Sequence, residues 1–106
     1  MSAWMYLILA GVLEIGFASM MKLTEGFTKV IPTAIFLLFA IASFYSLTKA
    51  IETIPIGTAY AIWTGIGAVG TILIGIFFYN EPAGMLRLFF LFTLVASIIG
   101  LKLVSN

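Results

Sequence analysis

The 106-residue sequence contains no cysteine and no histidine, and its charged side chains are few: five basic and four acidic. The lack of cysteine excludes disulfide and thiolate chemistry, and the lack of histidine removes the commonest metal ligand and proton carrier at neutral pH. A net charge of +1 without a basic run argues against a nucleic-acid partner. No nucleophile or metal-binding cluster is evident, so the sequence indicates neither an enzyme nor a cofactor or metal site.

The scarcity of charge is matched by an abundance of apolar residues, which make up 63% of the chain. Charged residues make up 8% of it, against about a quarter in soluble domains. A bilayer-spanning helix needs about 20 apolar residues, and four segments approach that length: 4–21, 30–51, 57–79 and 87–104. The short connections leave no room for a soluble domain. We therefore predict one all-α domain, 1–106, with four transmembrane helices, embedded in the lipid bilayer of a cell membrane.

Lysine and arginine are divided almost evenly between the two ends of the predicted bundle. Lys22, Lys29 and Arg87 flank the connections at one end, whereas Lys49 and Lys102 lie towards the other end, near the termini. An excess of positive charge in cytoplasmic loops normally sets the orientation, so this weak bias permits insertion in both directions. Two interpretations stay open: an antiparallel dimer of two copies, or a single orientation fixed by cellular factors.

A single carboxylate, Glu14, lies inside the first apolar segment. A charged group near the centre of a membrane helix costs about 2.5–3.5 kcal/mol on insertion scales, which makes it a candidate functional group. At helical spacing its face includes Ala10, Gly11 and Phe17. Small residues on this face let a helix or a ligand approach closely, so we interpret these three residues as the wall of a site. A structural salt bridge to Lys102 is the alternative.

Polar and aromatic residues in the second and third segments offer partners for this carboxylate. Ser43 can donate a hydrogen bond to it, although serine in a membrane helix often bonds to its own backbone. Tyr60 and Trp63 share one helical face of the third segment. Their rings can hold an organic cation, and their O–H and N–H groups can orient a carboxylate. An interfacial aromatic belt is the alternative reading of these two rings.

Small residues in the third and fourth segments indicate helix motion or helix packing. Gly65 and Gly67 lower the stability of the third helix, and they favour either a hinge or close static packing. Ala96 and Gly100 are four residues apart in the fourth segment, a spacing at which membrane helices dock. We predict a dimer contact at this pair.

The stretches "LEIGFASMMK", "EGFT", "PIGTAYAIWTGIGAVG" and "IIGLKL" together resemble the small multidrug resistance family over essentially the whole chain. Within that family, the third stretch and the lysine of the fourth resemble the guanidinium-exporter subtype. The resemblance implies an antiparallel homodimer in a prokaryotic plasma membrane that exchanges protons, the coupling ion, for small organic cations. It also implies that Glu14 binds both protons and substrate, with Ser43, Tyr60 and Trp63 around it. Lys102 matches a subtype lysine whose role is left unassigned.

One residue departs from the subtype pattern. Guanidinium exporters typically carry tryptophan three residues after the glutamate, where this chain has Phe17. Loss of the indole N–H leaves a more apolar wall, which suits bulky cations. The alternatives are therefore a promiscuous exporter of quaternary ammonium and other lipophilic cations, in some family members a paired heterodimer, and, from other classes, a cation channel or an accessory membrane subunit.

Overall fold

The computed structural model describes residues 2–105, and it confirms the four predicted helices. Each helix is long and apolar enough to cross a membrane, and no β-strand occurs within residues 2–105. A short 3₁₀ turn, Lys22–Thr24, follows the first helix. The helix bounds differ from the predicted segments by no more than two residues: α1 is Ala3–Met21, α2 is Val30–Ala50, α3 is Ile56–Phe78 and α4 is Met85–Val104.

Local hydrogen bonds define where the first helix begins and ends. The Ser2 side chain accepts a hydrogen bond from the backbone N–H of Met5 at 3.3 Å, which caps the start of α1. After the helix, the Thr24 hydroxyl donates to the carbonyl of Met21 at 2.7 Å and accepts from the backbone N–H of Phe27 at 3.3 Å. Thr24 is buried, so the connection from α1 to α2 is a compact corner organised around its side chain.

Helix α1 is the central element of the bundle. It packs along most of α2 and α3, whereas α2 and α3 meet each other only over a short length. Within residues 2–105, α4 runs against α3 and contributes no fully buried side chain. The buried apolar core therefore comes from the first three helices and the connection between α2 and α3: Leu7, Ala10, Ala50, Ile54, Ala59, Ile62 and Trp63.

Glycines lie where the helices approach most closely. A Cβ added at Gly11 of α1 would lie 2.7 Å from Cβ of Ile66 on α3, and one added at Gly65 would lie 2.8 Å from Cδ1 of Ile98 on α4. Membrane helices associate through such small residues because packing, rather than water exclusion, holds them together. Most large apolar side chains on the outside of the bundle are exposed, as lipid-facing residues are expected to be.

Six charged side chains near the ends of the helices form three ion pairs. The nitrogen–oxygen distances are 3.8 Å for Lys29–Glu25, 3.7 Å for Lys49–Glu52 and 3.2 Å for Arg87–Glu81. Exposed pairs of this kind contribute about 0–1 kcal/mol each. Among the carboxylates that the structure describes, Glu14 alone has no salt bridge.

Candidate functional site

The Glu14 carboxylate lies against the backbone of α3 at Gly67. A Cβ added at Gly67 would overlap the carboxylate carbon and both of its oxygens, so the glycine provides the space that the acid occupies. Oε1 of Glu14 is buried and has no hydrogen-bond partner within residues 2–105. An unpaired buried carboxylate oxygen is energetically costly, and a bound proton or cation offsets that cost. The pair formed by Glu14 and Gly67 is the centre of the candidate site.

A buried hydrogen-bonded chain joins the first three helices close to this centre. The Ser43 hydroxyl of α2 donates to the carbonyl of Ala10 at 2.7 Å, and the indole Nε1–H of Trp63 on α3 donates to Ser43 Oγ at 3.0 Å. Ala10 precedes Glu14 by one helical turn. The structure thus brings Ser43 and Trp63 together, and their hydrogen bonds fix α1 against α2 and α3 beside Glu14.

A row of aromatic rings borders the same region. Phe17 lies 5.6 Å from Phe36 and 5.9 Å from Phe44, centroid to centroid, and Phe44 lies 5.7 Å from Trp63. Tyr60, which is 58% exposed, continues the row at 5.8 Å from Trp63. Phe36 and Phe44 were not predicted as site residues. Phe36 precedes Ser43 by seven residues and so shares its helical face, which is the signal that identifies it in the sequence.

Ala10 and Gly11 are helix-contact residues in this structure. Both are buried; Ala10 presents its carbonyl to Ser43, and Gly11 faces Ile66 of α3. In this structure neighbouring helices approach these two small residues, and their role as the wall of a site stays a prediction. Phe17 is half-buried within the aromatic row, and its role as an apolar wall of the site stays a prediction.

Four further predicted residues are placed without their predicted roles being tested. Gly65 contacts Ile98, Gly67 contacts Glu14, and α3 is continuous through both, so the hinge stays a prediction. On α4, Ala96 is exposed and a Cβ at Gly100 would meet no atom within 4 Å, so the dimer contact also stays a prediction.

Lys102 is directed towards the first turns of α1 rather than towards Glu14. Its ammonium nitrogen lies 5.2 Å from the centroid of the Trp4 ring, a cation–π contact. No salt bridge joins Lys102 to Glu14 in the part of the chain that the structure describes. The arrangement provides no support for the alternative of a structural pair between these two residues.

An apolar groove of about 320 Å³ lies outside the candidate site, between α1, α3 and α4. No polar group lines it, so it offers a cation neither charge nor hydrogen bonds. Its lining is Ile15, Ile66, Val69, Gly70, Leu73, Val95, Ile98 and Ile99.

Comparisons with known proteins agree on one family. The family model described as "Small Multidrug Resistance protein" matches residues 2–94. The guanidinium exporter of Citrobacter freundii is 48% identical over 104 residues, covering 98% of this chain and 99% of the relative. The guanidinium exporters of Proteus vulgaris and Yersinia pestis are 48% and 46% identical over 103 residues, each match covering 97% of this chain and 99% of the relative.

Four spanning helices and a half-buried carboxylate between two of them, together with these relatives, define a small multi-pass membrane transporter rather than an enzyme. The chain belongs to the small multidrug resistance family. Its relatives are bacterial exporters, and its location is the bacterial inner membrane. The predicted family, guanidinium-exporter resemblance and membrane location are confirmed.

The hydrogen-bonded chain yields a test with a matched control on the same helix. Ser43→Ala leaves the N–H of Trp63 unpaired, whereas Ser46→Ala removes a hydroxyl that bonds only to its own helix at the Ala42 carbonyl. We expect Ser43→Ala to lower the free energy of unfolding by about 0.6–1.7 kcal/mol, the range measured for hydrogen bonds between membrane helices. Ser46→Ala should leave it nearly unchanged. Equal losses in a denaturant titration would contradict an interhelical role for Ser43.

Proposed function

We propose that this protein exports guanidinium and substituted guanidinium ions in exchange for protons. The observation that carries the proposal is the half-buried Glu14 carboxylate, which lies against Gly67 with its buried Oε1 unpaired within residues 2–105. Relatives that match nearly the whole chain are named guanidinium exporters, which supports this choice of substrate. Glu14 binds either a proton or the cation, and this competition couples the two movements.

Guanidinium suits a carboxylate of this kind. The ion is planar and donates two parallel N–H bonds to the two oxygens of one carboxylate, a geometry that a quaternary ammonium ion cannot provide. The Ser43–Trp63 pair holds α1 and α3 in fixed relative positions, so it orients Glu14 for that contact without bonding to it directly. Ser43 and Trp63 are thus positioning residues in this proposal, and the Tyr60 ring beside Trp63 adds an aromatic surface for the cation.

Replacement of Glu14 tests the coupling. Glu14→Gln keeps the shape of the side chain and cannot exchange a proton, so we expect proton movement on guanidinium addition to disappear in proteoliposomes. Glu52→Gln is the control, since Glu52 is an exposed carboxylate paired with Lys49 at 3.7 Å, and its exchange should match wild type. Substrate-driven proton movement in Glu14→Gln would exclude Glu14 as the coupling residue. Guanidinium flux without proton movement in the wild-type protein would favour a channel.

The proposal includes an antiparallel dimer in which two copies supply two Glu14 carboxylates to one pathway, with alternating access to the two sides. Two features support it. The lysines and arginines are nearly balanced between the ends of the bundle, and α4 exposes an apolar face that includes Phe92, Ala96 and Ile99. A self-complementary contact between two copies of α4 would cover that face.

Dual orientation is measurable in cells. Reporters fused to the C-terminus should be active on both sides of the membrane, and two lysines added to one end of the bundle should shift the population to one orientation. The matched control adds two glutamines at the same positions and should shift nothing, because the rule depends on positive charge. A single orientation of the unmodified protein would contradict the homodimer and favour a different partner chain.

The substrate range depends on Phe17. Its ring packs edge-on against Phe36 and also meets Phe44, so this side of the site is apolar and has no N–H donor at position 17. We propose that guanidinium ions with hydrophobic substituents, and some bulky quaternary ammonium ions, are carried along with guanidinium itself.

Phe17→Trp should narrow that range, because the indole adds volume and an N–H donor. We expect transport of bulky quaternary ammonium ions to fall a few-fold relative to guanidinium, in line with about 0.6 kcal/mol for a hydrogen bond within a membrane protein. Phe77→Trp, at a side chain that is 74% exposed, controls for the added indole. Proton-coupled currents for the two substrates decide between the outcomes. Wild-type currents with quaternary ammonium ions and none with guanidinium would replace this proposal with the promiscuous exporter.

A further inference from the structure

The carboxylates of Glu14 and Glu81 both lie over one stripe of residues on α3. Gly67, Thr71, Gly75 and Tyr79 follow one another at intervals of four residues, so they lie one above the next on one side of the helix. The Glu14 carboxylate occupies the space above Gly67, and the Glu81 carboxylate occupies the space above Gly75: in both cases an added Cβ would overlap the carboxylate. One acid therefore lies over Gly67 and the other over Gly75, with Thr71 between them.

The end of α3 explains how Glu81 reaches back over the helix. Asn80 has a left-handed conformation, with φ of 55°, and the backbone N–H of Glu81 donates to the carbonyl of Gly75 at 3.0 Å. This hydrogen bond closes seven residues, one more than the six-residue closure of the Schellman motif that ends many helices. Arg87 of α4 holds the carboxylate from the other side at 3.2 Å. The Glu81 side chain is 43% exposed, so it meets the aqueous phase as well as the stripe.

Thr71 lies midway between the two acids. Eight residues of helix separate Gly67 from Gly75, a rise of about 12 Å, so Thr71 is about 6 Å of rise from each. Its Oγ1 is buried and has no hydrogen-bond partner within residues 2–105. Other hydroxyls on these helices bond to their own backbone four residues earlier, as those of Thr64, Thr93 and Ser97 do. The Thr71 hydroxyl is free to both donate and accept.

Helix α1 covers the stripe and adds a further hydroxyl. Ile15 packs on Gly70, and Ser19, one turn beyond Ile15, has a buried Oγ that makes no hydrogen bond among the described residues. The Tyr79 hydroxyl donates to the carbonyl of Ser19 at 2.9 Å, which closes the contact between α1 and α3 at the surface. The charged group above this contact is Lys22, whose ammonium lies 4.7 Å from the Tyr79 ring.

We propose that Glu81 is a second functional carboxylate, which exchanges protons with the aqueous phase and passes them along the Thr71 hydroxyl to Glu14. A proton taken from water neutralises Glu81, and its transfer restores the Glu81 charge as it neutralises Glu14. One water on either side of Thr71 spans the gaps, donating and accepting in turn. The inference rests on the proposed exchange of protons at Glu14, and it adds a route within one subunit that runs from the connection after α3, along α3, to Glu14 of α1.

The test compares two stripe variants with two controls. Glu81→Gln removes the outer acid, and Glu25→Gln removes another exposed acid at the same end of the bundle, paired with Lys29 at 3.8 Å. Thr71→Val removes the relay hydroxyl, and Thr33→Val removes a hydroxyl that is likewise buried and unpaired within residues 2–105 but belongs to α2. Thr71→Ser keeps the hydroxyl.

The readout is the infrared band of the protonated Glu14 carboxyl, followed after a rapid drop in pH with protein in lipid nanodiscs. Its assignment comes from its absence in Glu14→Gln. We expect Glu81→Gln and Thr71→Val to slow its appearance severalfold, while Thr71→Ser, Glu25→Gln and Thr33→Val keep the wild-type rate. Proton-coupled guanidinium exchange should slow by the same factor, with an unchanged Kd for guanidinium.

Wild-type protonation rates in Glu81→Gln or Thr71→Val would overturn the route. The route would also be overturned if the protonation rate fell equally in the control variants, or if the Kd for guanidinium rose by as large a factor as the rate fell. Either result indicates a general structural effect. The infrared measurement needs no substrate. If wild-type protein fails to move guanidinium, the proposed function fails, and slowed protonation in the two stripe variants still supports the route.

Discussion

The contact between the Glu14 carboxylate and the Gly67 backbone is the constraint on which the rest of the bundle depends. A carboxylate can occupy the interface between α1 and α3 only where the opposing residue has no side chain, and even an alanine methyl at position 67 would overlap it. The helices must therefore keep their register to within a fraction of a turn. Gly11 against Ile66 and Gly70 against Ile15 maintain that register on either side of the acid.

The buried hydrogen bonds between α2 and its two neighbours stabilise the same alignment of α1 with α3. A membrane interior supplies no water to replace a lost partner, so polar groups between helices favour one alignment over its neighbours. The two hydrogen bonds share the Ser43 hydroxyl, which donates to the Ala10 carbonyl of α1 and accepts from the indole N–H of Trp63 on α3. The site thus combines hydrogen-bonded helix contacts with an apolar aromatic row. Under the proposed function, the helix contacts orient a bound cation and the aromatic row accommodates its substituents.

Sequence reasoning predicted the parts of this architecture that leave a strong pattern. Apolar length placed four helices to within two residues, and the rarity of charge in those helices singled out Glu14. Which side of each helix faces inward was harder to predict, because these helices are apolar all round and show little contrast between faces. For Ala10 and Gly11 the sequence accordingly left open whether a helix or a ligand approaches them, and neighbouring helices do so here, while Phe36 and Phe44 were not identified.

The left-handed turn after α3 also lay beyond the sequence analysis. The sequence indicated only a short connection there, whereas the return of Glu81 over Gly75 depends on the conformation of Asn80 and on the backbone hydrogen bond to Gly75. Neither follows from hydropathy. Small residues in α3 raised the possibility of motion, whereas Gly65, Gly67 and Gly75 each accommodate a specific side chain from another part of the chain.

The one-sided attachment of α4 has a consequence for how the protein responds to its lipid environment. With 20 residues, α4 spans about 30 Å, which matches the hydrocarbon layer of an ordinary bilayer. Membranes of different thickness impose a mismatch that helices absorb by tilting. Within residues 2–105, α4 packs mainly along α3 and meets α1 through the contact of Lys102 with Trp4, while α1 is held by both α2 and α3. Thickness changes therefore tilt α4 first and leave the alignment of Glu14 with Gly67 intact.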